Sequence, residues 1–364
     1  MSRSSRFITL EARPEPSALW VWAAPLLAVG LTLIAGGLLF AALGKDPVAA
    51  LAGFFLKPLS SLYGLGELGV KAAPLALIAA GLAVGFRGGV WNIGAEGQLT
   101  MGAVVGGGVG LAFLESTGPL VLPAMMLCGA LGGMAWAAIP ALLRTRFNAN
   151  EILTSLMLTY VAQLLLSWLV HGPWRSPSGF NFPETEMFGP AATLPVLIEG
   201  TRLHLGVVLA LVVVGAIWVL LGRSFIGFQI KVMGLAPRAG AYAGFSQRRV
   251  IWMAMLLSGG AAGLAGLFEV AGPIGQLQPA ISPGYGFTAI IVAFLGRLHP
   301  LGIVFAACFM ALTYLGGETV QMDMGLPLAV TGVFQGMILF FLLAADVLIR
   351  YRIRLGRAAS AKAL

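Results

Sequence analysis

The sequence predicts an all-α polytopic membrane protein of about ten transmembrane helices, with one broken or re-entrant segment. Three observations predict it. Of the 364 residues, 59% are hydrophobic and only 10% are charged, where a soluble domain carries about a quarter charged residues. Fifty residues are glycine, and in an apolar chain glycine lets helix backbones approach closely. The apolar residues also fall into runs near the ~20 residues that a helix needs to cross a hydrocarbon core of about 30 Å.

Taken in order, six spans read clearly: 20–43, 119–143, 152–171, 204–222, 250–271 and 326–349. Four more are shorter or interrupted by glycine: 68–86, 98–115, 286–296 and 300–316. The first run exceeds the ~7–15 apolar residues of a secretory signal core and follows Glu11 and Glu15. It reads as a retained anchor.

Charge then places the loops. With the N-terminus in the cytoplasm, the inside segments are 1–19, 87–97, 144–151, 223–249, 297–299 and 350–364, and they hold 17 of the 22 Lys and Arg residues. Cytoplasmic loops carry such an excess. An error of one span would put Arg223 to Arg249, or Arg350 to Arg357, on the wrong side. The expected organisation is a cytoplasmic tail 1–19, one transmembrane domain 20–349 and a basic cytoplasmic tail 350–364. The expected location is a bacterial plasma (inner) membrane, with both termini cytoplasmic.

Two outer segments look structured. Residues 47–62 carry Phe54, Phe55, Leu59 and Leu62 at near-helical spacing, compatible with an interfacial helix. Residues 172–203, with five prolines, either rest against an outer partner or cap the bundle. The stretch Gly272 to Gly286 contains Pro273, Gly275, Pro279, Pro283 and Gly284 and cannot run as one helix. An unpaired backbone group in hydrocarbon costs several kcal/mol, so this stretch should be unwound or re-entrant beside a central cavity.

Three polar segments stand out. Gly88 to Gln98 packs Asn92, Glu96 and Gln98 among four glycines. Polar residues at the edge of hydrocarbon are costly and often functional, although a cytoplasmic turn with a capped helix start accounts for them equally well. In Asn148-Ala149-Asn150-Glu151, Asn150 suits a helix cap and Glu151 the positive first turn; that structural account suffices. The loop 223–249 is the longest inside loop between spans and combines small residues with Pro237 and Tyr242. A short helix docking on a cytoplasmic partner fits it better than a solvated loop does.

The Asn92–Gln98 turn, the Asn150–Leu158 helix start, the small-residue loop 234–244 and the Gly284–Gly296 stretch are together similar, in matching order, to one family. It is the permease family of binding-protein-dependent ABC importers for ribose, other simple sugars and branched-chain amino acids. The resemblance spans roughly residues 65–350. It is closer to the nucleoside or simple-sugar branch, in which Trp-Asn-Ile-Gly-Ala-Glu-Gly-Gln (91–98) and Asn-Glu-Ile (150–152) are characteristic.

The resemblance implies two inverted halves, near spans 2–5 and 7–10, and a solute path near the axis of a permease dimer. It implies that Gly234, Arg238, Ala239, Gly240, Ala241, Tyr242, Ala243 and Gly244 belong to a coupling helix resting in a groove of an ATPase. Implied partners are ABC ATPase subunits, an extracytoplasmic solute-binding protein and a second permease, a related chain rather than this one. ATP and Mg would sit on the partners, with no cofactor on this chain. The solute would be a nucleoside or a simple sugar. Candidate path residues are Asn92, Glu96, Gln276, Tyr285, Thr288, Glu318 and Gln335, whose polar and aromatic groups suit a hydroxyl-rich or heterocyclic solute. Interhelical hydrogen bonding is the commoner fate of such residues.

Other functions are disfavoured by what the sequence lacks. No Gly-x-x-x-x-Gly-Lys-[Ser/Thr] phosphate loop occurs, so the chain is not expected to hydrolyse ATP. Cys128 and Cys308 lie inside apolar runs and read as packing residues. His171, His204 and His299 are scattered at span ends without a His-Glu-x-x-His pair, so neither a catalytic nor a metal site is expected. The net charge of +8 sits in short gaps between apolar runs, which points to a bilayer and not to nucleic acid. The competing reading is a stand-alone secondary transporter. That reading wants an ion-coupling carboxylate deep in a span, whereas Glu269 and Glu318 lie near predicted outer ends.

Overall fold

A computed structural model of the chain describes residues 8–12, 18–327 and 329–355. Of the predicted tails, residues 1–7, 13–17 and 356–364 lie outside the described residues. The first elements are strand β1 (Ile8–Ala12) and helices α1 (Ala18–Ala42), α2 (Pro47–Phe55), α3 (Leu62–Arg87), α4 (Ala95–Ala112), α5 (Val121–Phe147) and α6 (Glu151–His171). After a long loop come α7 (Leu205–Arg223), α8 (Phe225–Leu235), α9 (Pro237–Tyr242) and α10 (Gln247–Glu269). The chain ends with α11 (Tyr285–Leu295), α12 (Pro300–Met324), α13 (Ala329–Arg350) and strand β2 (Tyr351–Leu355).

Among the described residues, eight helices are long and apolar enough to cross a membrane: α1, α3, α5, α6, α7, α10, α12 and α13. The other two predicted spans are also helical. They are α4, of 18 residues, and α11, of 11. At 1.5 Å per residue α11 covers roughly 16 Å, about half the hydrocarbon core. α12 runs eight residues past the predicted span 300–316, because the helix continues through Glu318 and Asp323, where hydropathy falls.

The chain divides into two compact units, one made of the residues up to Leu56 with those from Gly316 onward, the other of Lys57–Leu315. In the first, α1 and α13 run antiparallel. Ala24 near the start of α1 packs with Ala345 and Ile349 near the end of α13. At the opposite end Phe40 meets Phe334, ring centroids 5.6 Å apart. β1 and β2 continue this arrangement as an antiparallel pair, from Ile8 opposite Leu355 to Ala12 opposite Tyr351. Both described chain ends therefore emerge at one end of the unit. The segment read as an interfacial helix begins as α2, capped by Asp46 Oδ1, which accepts from Val48 N at 2.9 Å. α2 also buries Phe54 between Phe40 and Phe334.

In the second unit, α3 and α10 are buried on nearly all sides and form the centre. Buried residues make up 83% of the spanning part of α3 and 72% of α10 with its following turn, against 28% for α6 and for α7. A helix buried on all sides belongs inside a bundle, and one with a single buried stripe belongs at its rim. Three glycine pairs set the packing of α4, α5 and α10. Gly102 and Gly106, Gly129 and Gly133, and Gly259 and Gly263 each stand four residues apart and face the other helices. A β-carbon on Gly263 would lie 3.0 Å from Gly133 Cα and press on Gly129 O. Here backbone touches backbone, which only small residues allow.

The predicted break is present. α10 runs into a π-type turn at Val270–Ile274, and the chain stays irregular until α11 starts at Tyr285. The loop 172–203 covers the break and makes three backbone bonds to it: Thr185 N to Leu277 O, Phe188 N to Gly275 O and Leu194 N to Ala271 O. Gln276 Nε2 donates to Glu184 Oε2 at 2.8 Å. At the same end, Arg202 grips the buried Glu67 with both Nε and a terminal nitrogen, at 2.7 and 2.5 Å. That carboxylate raises the Arg202 pKa above the usual guanidinium value. Within this unit, then, the loop caps the bundle.

Candidate functional site

The four sequence motifs, spread from Asn92 to Gly296, meet at the other end of the second unit. The turn between α3 and α4 lies at the middle of this site. Asn92 is buried and uses its full bonding capacity. Its Nδ2 donates to Gln98 Oε1 and to Ser258 Oγ of α10, both at 2.8 Å. Its Oδ1 accepts from Gln98 Nε2 at 3.0 Å and from Gly94 N at 3.1 Å. A side-chain amide has two donors and one two-lone-pair acceptor, and all are met here.

The second motif packs directly on the first. Trp91 N donates to Glu151 Oε1 at 3.4 Å, and Ile93 N donates to Ser155 Oγ at 3.2 Å. Glu151 also pairs with Arg144 at the end of α5. Asn150 caps α6 as predicted, its Oδ1 accepting from Ile152 N at 2.9 Å. The glycines of the first motif have a packing reason. A β-carbon on Gly97 would lie 2.7 Å from Thr159 Cα in α6, and one on Gly94 would lie 2.6 Å from Ser155 O.

The third motif folds as a helical elbow, α8 followed by α9. Gly234 sits so close to Arg87 O and Gly88 that no side chain fits. Gly240 is buried against the sulfur of Met233. Beyond these two anchors the elbow is exposed: Arg238, Ala239, Ala241, Ala243 and Gly244 face outward, and Tyr242 is 96% exposed. Pro237 at the first helical position starts α9, where its missing N–H costs nothing.

The fourth motif reaches the same place through Gly286, whose N–H donates to the buried carboxylate of Glu96 at 2.6 Å. At the far end of α11, Phe294 stacks with Phe86 and Trp91. His299, just beyond α11, meets Trp218 of α7 edge-on. Four segments predicted to be cytoplasmic (87–97, 144–151, 223–249 and 297–299) thus gather at one end of this unit, and the loop 172–203 lies at the other.

Of the candidate path residues, Asn92, Glu96, Tyr285 and Thr288 come together, all buried. Thr288 Oγ1 and Tyr314 Oη are 2.7 Å apart, and the Tyr285 and Tyr314 rings meet edge-on at 5.4 Å. Gln276 lies at the capped end. Glu318 and Gln335 belong to the first unit, where both are half-buried. Three residues of this cluster escape sequence reasoning. Ser258 is a lone hydroxyl in a small-residue run, and Tyr314 a polar ring in an apolar span. Ser282 stands three residues before Tyr285, the spacing of a helix cap, and its Oγ accepts from Gly284 N and Tyr285 N.

Helices this long and apolar, packed glycine on glycine, define a multi-pass membrane protein. Over residues 64–343 the chain matches the family described as branched-chain amino acid transport system / permease component. It belongs to that family, in the branch of simple-sugar and nucleoside permeases. It is 37% identical to the glucose ABC transporter permease protein TsgB13 of Haloferax volcanii, over 95% of this chain and 93% of that one. It is 30% identical to the guanosine ABC transporter permease protein NupP of Bacillus subtilis, over 90% and 94%. It is 27% identical to the nucleoside ABC transporter permease protein NupB of Lactococcus lactis, over 87% and 89%.

Proposed function

We propose that this chain is the membrane-spanning subunit of an ATP-driven importer of a nucleoside or a simple sugar, and that it takes its power stroke from separate ATPase subunits through Gly234 and residues 238–244. One observation carries this reading: four motifs converge under an exposed short helix whose back is locked and whose face is free. Gly240 seats α9 on Met233 of α8, and Gly234 seats α8 on Arg87 and Gly88 at the α3–α4 turn. A push on Tyr242 or Ala243 is therefore delivered to the turn that holds Asn92 and Glu96. ATP and Mg stay on the ATPase subunits. The elbow faces the cytoplasm of a plasma membrane, as its positive charge supports.

An extracytoplasmic binding protein delivers the solute to the opposite face, and a related permease completes the pair. The names of the relatives, glucose and guanosine permeases, support the solute class. The solute passes beside Tyr285 and Thr288, where hydroxyls and an aromatic ring suit a sugar or a heterocycle.

The test is Ala243→Asp. Ala243 is exposed, so the substitution changes the docking face and leaves the packing intact, whereas an aspartate at Gly240 would disturb Met233. Uptake by cells should fall at least tenfold while the amount of the chain in the membrane stays at the wild-type level. Wild-type uptake would refute the docking role.

A further inference from the structure

Two helices begin nose to nose in the second unit. α4 starts behind Gly94 and α11 behind Gly284, and neither glycine supplies a capping side chain. The two starts touch: a β-carbon on Gly286 would lie 2.5 Å from Glu96 Cα. Each helix start presents unpaired N–H groups and a partial positive charge of about half an elementary charge. Two such ends in contact, away from water, repel each other and leave donors unmet unless a negative group stands between them.

Glu96 is that group. Only 3% exposed, its carboxylate accepts from Gly286 N at 2.6 Å. Ser282 Oγ accepts from Gly284 N at 3.0 Å and from Tyr285 N at 2.8 Å. One hydroxyl and one carboxylate thus serve the first turn of α11, and the carboxylate is carried by the first turn of α4. Each side of this joint leads elsewhere. The α4 side continues through Asn92 to Ser258 of α10 and through the 88–94 turn to Gly234 of the elbow. The α11 side carries Tyr285 and Thr288, the latter bonded to Tyr314.

We propose that Glu96 is a positioning residue of the transport cycle: its carboxylate joins the starts of α4 and α11 into one moving part, so that a displacement of the 88–98 turn is passed to the short helix bearing Tyr285 and Thr288. This rests on the reading of the chain as an ATP-driven permease. Charge and reach both matter. A glutamine fits the space and still offers one carbonyl oxygen to Gly286 N, but it leaves the two helix ends uncompensated. An aspartate keeps the charge and falls one methylene short of Gly286.

The test uses the whole transporter, with its partner subunits, in proteoliposomes. For Glu96→Gln, solute moved per ATP hydrolysed should fall at least tenfold, and for Glu96→Asp by an intermediate factor. Loss of folded protein would lower both quantities together and leave this ratio unmoved. A ratio for Glu96→Gln equal to the wild type would overturn the proposal. Should the variants fail to assemble, hydrogen exchange in the wild-type complex gives the answer. Amides of 93–98 and of 284–290 should change together between the nucleotide-free and ATP-bound states, and a change in one set without the other overturns it. Ala243→Asp, run in parallel, separates the two ideas: wild-type uptake there defeats the docking role of the elbow whatever Glu96 does.

Discussion

Replacing Gly263 with leucine should remove the folded protein from the membrane, whereas the same change at Gly215 should not. Gly263 faces Gly129 and Gly133 of α5 across a contact in which no side chain intervenes. Overpacking costs about 1–3 kcal/mol where neighbouring side chains can shift. Here the obstacles are backbone atoms, so α10 itself must move, and with it the joint at Ser258. The cost should exceed about 3 kcal/mol, a large part of the ~5–15 kcal/mol that holds a protein folded. Gly215 of α7 has nothing within 4 Å of the added carbon. The yield of monodisperse protein extracted from membranes checks both: near zero for Gly263→Leu, near wild type for Gly215→Leu.

The second large effect is expected at Asn92. Asn92→Leu keeps the side chain's size and strands the Gln98 amide, the Ser258 hydroxyl and Gly94 N. Each buried group left without a partner costs about 1–3 kcal/mol, and Gln98 and Ser258 are both buried. A total of about 3 kcal/mol or more is expected, a fall in melting temperature on the order of 5 °C or more. The detergent-solubilised protein, followed by tryptophan fluorescence, gives the value. Asn150→Ala is the control, because it removes only an exposed helix cap, worth about 1 kcal/mol. A melting temperature unchanged by Asn92→Leu would show that the network contributes nothing.

Much of the fold was legible because a bilayer imposes a ruler on the sequence. The helices at the ten predicted positions, the broken stretch after α10 and the exposed elbow follow from run length, from Pro273 to Gly286, and from small residues in a basic loop. The pairing of these pieces was not legible. Asn92 and Ser258 are 166 residues apart, and Glu96 and Gly286 are 190 apart; no local period encodes such a meeting. Hydropathy also fails where a helix carries charge: Glu318 and Asp323 hid the last eight residues of α12. The glycine count announced close packing in general, yet only the three-dimensional contacts separate Gly263, which touches backbone, from Gly215, which touches nothing. The contacts of the 172–203 loop were not legible from its composition. Its backbone bonds to Ala271, Gly275 and Leu277 show it capping the bundle.

Reconstitution tests the central claim most directly. The chain is placed in liposomes, once alone with an imposed proton or sodium gradient, and once with copurified ATPase and permease partners, its binding protein and MgATP. The account predicts solute accumulation only in the complete, ATP-supplied system. Accumulation by the solitary chain at the expense of an ion gradient would contradict it.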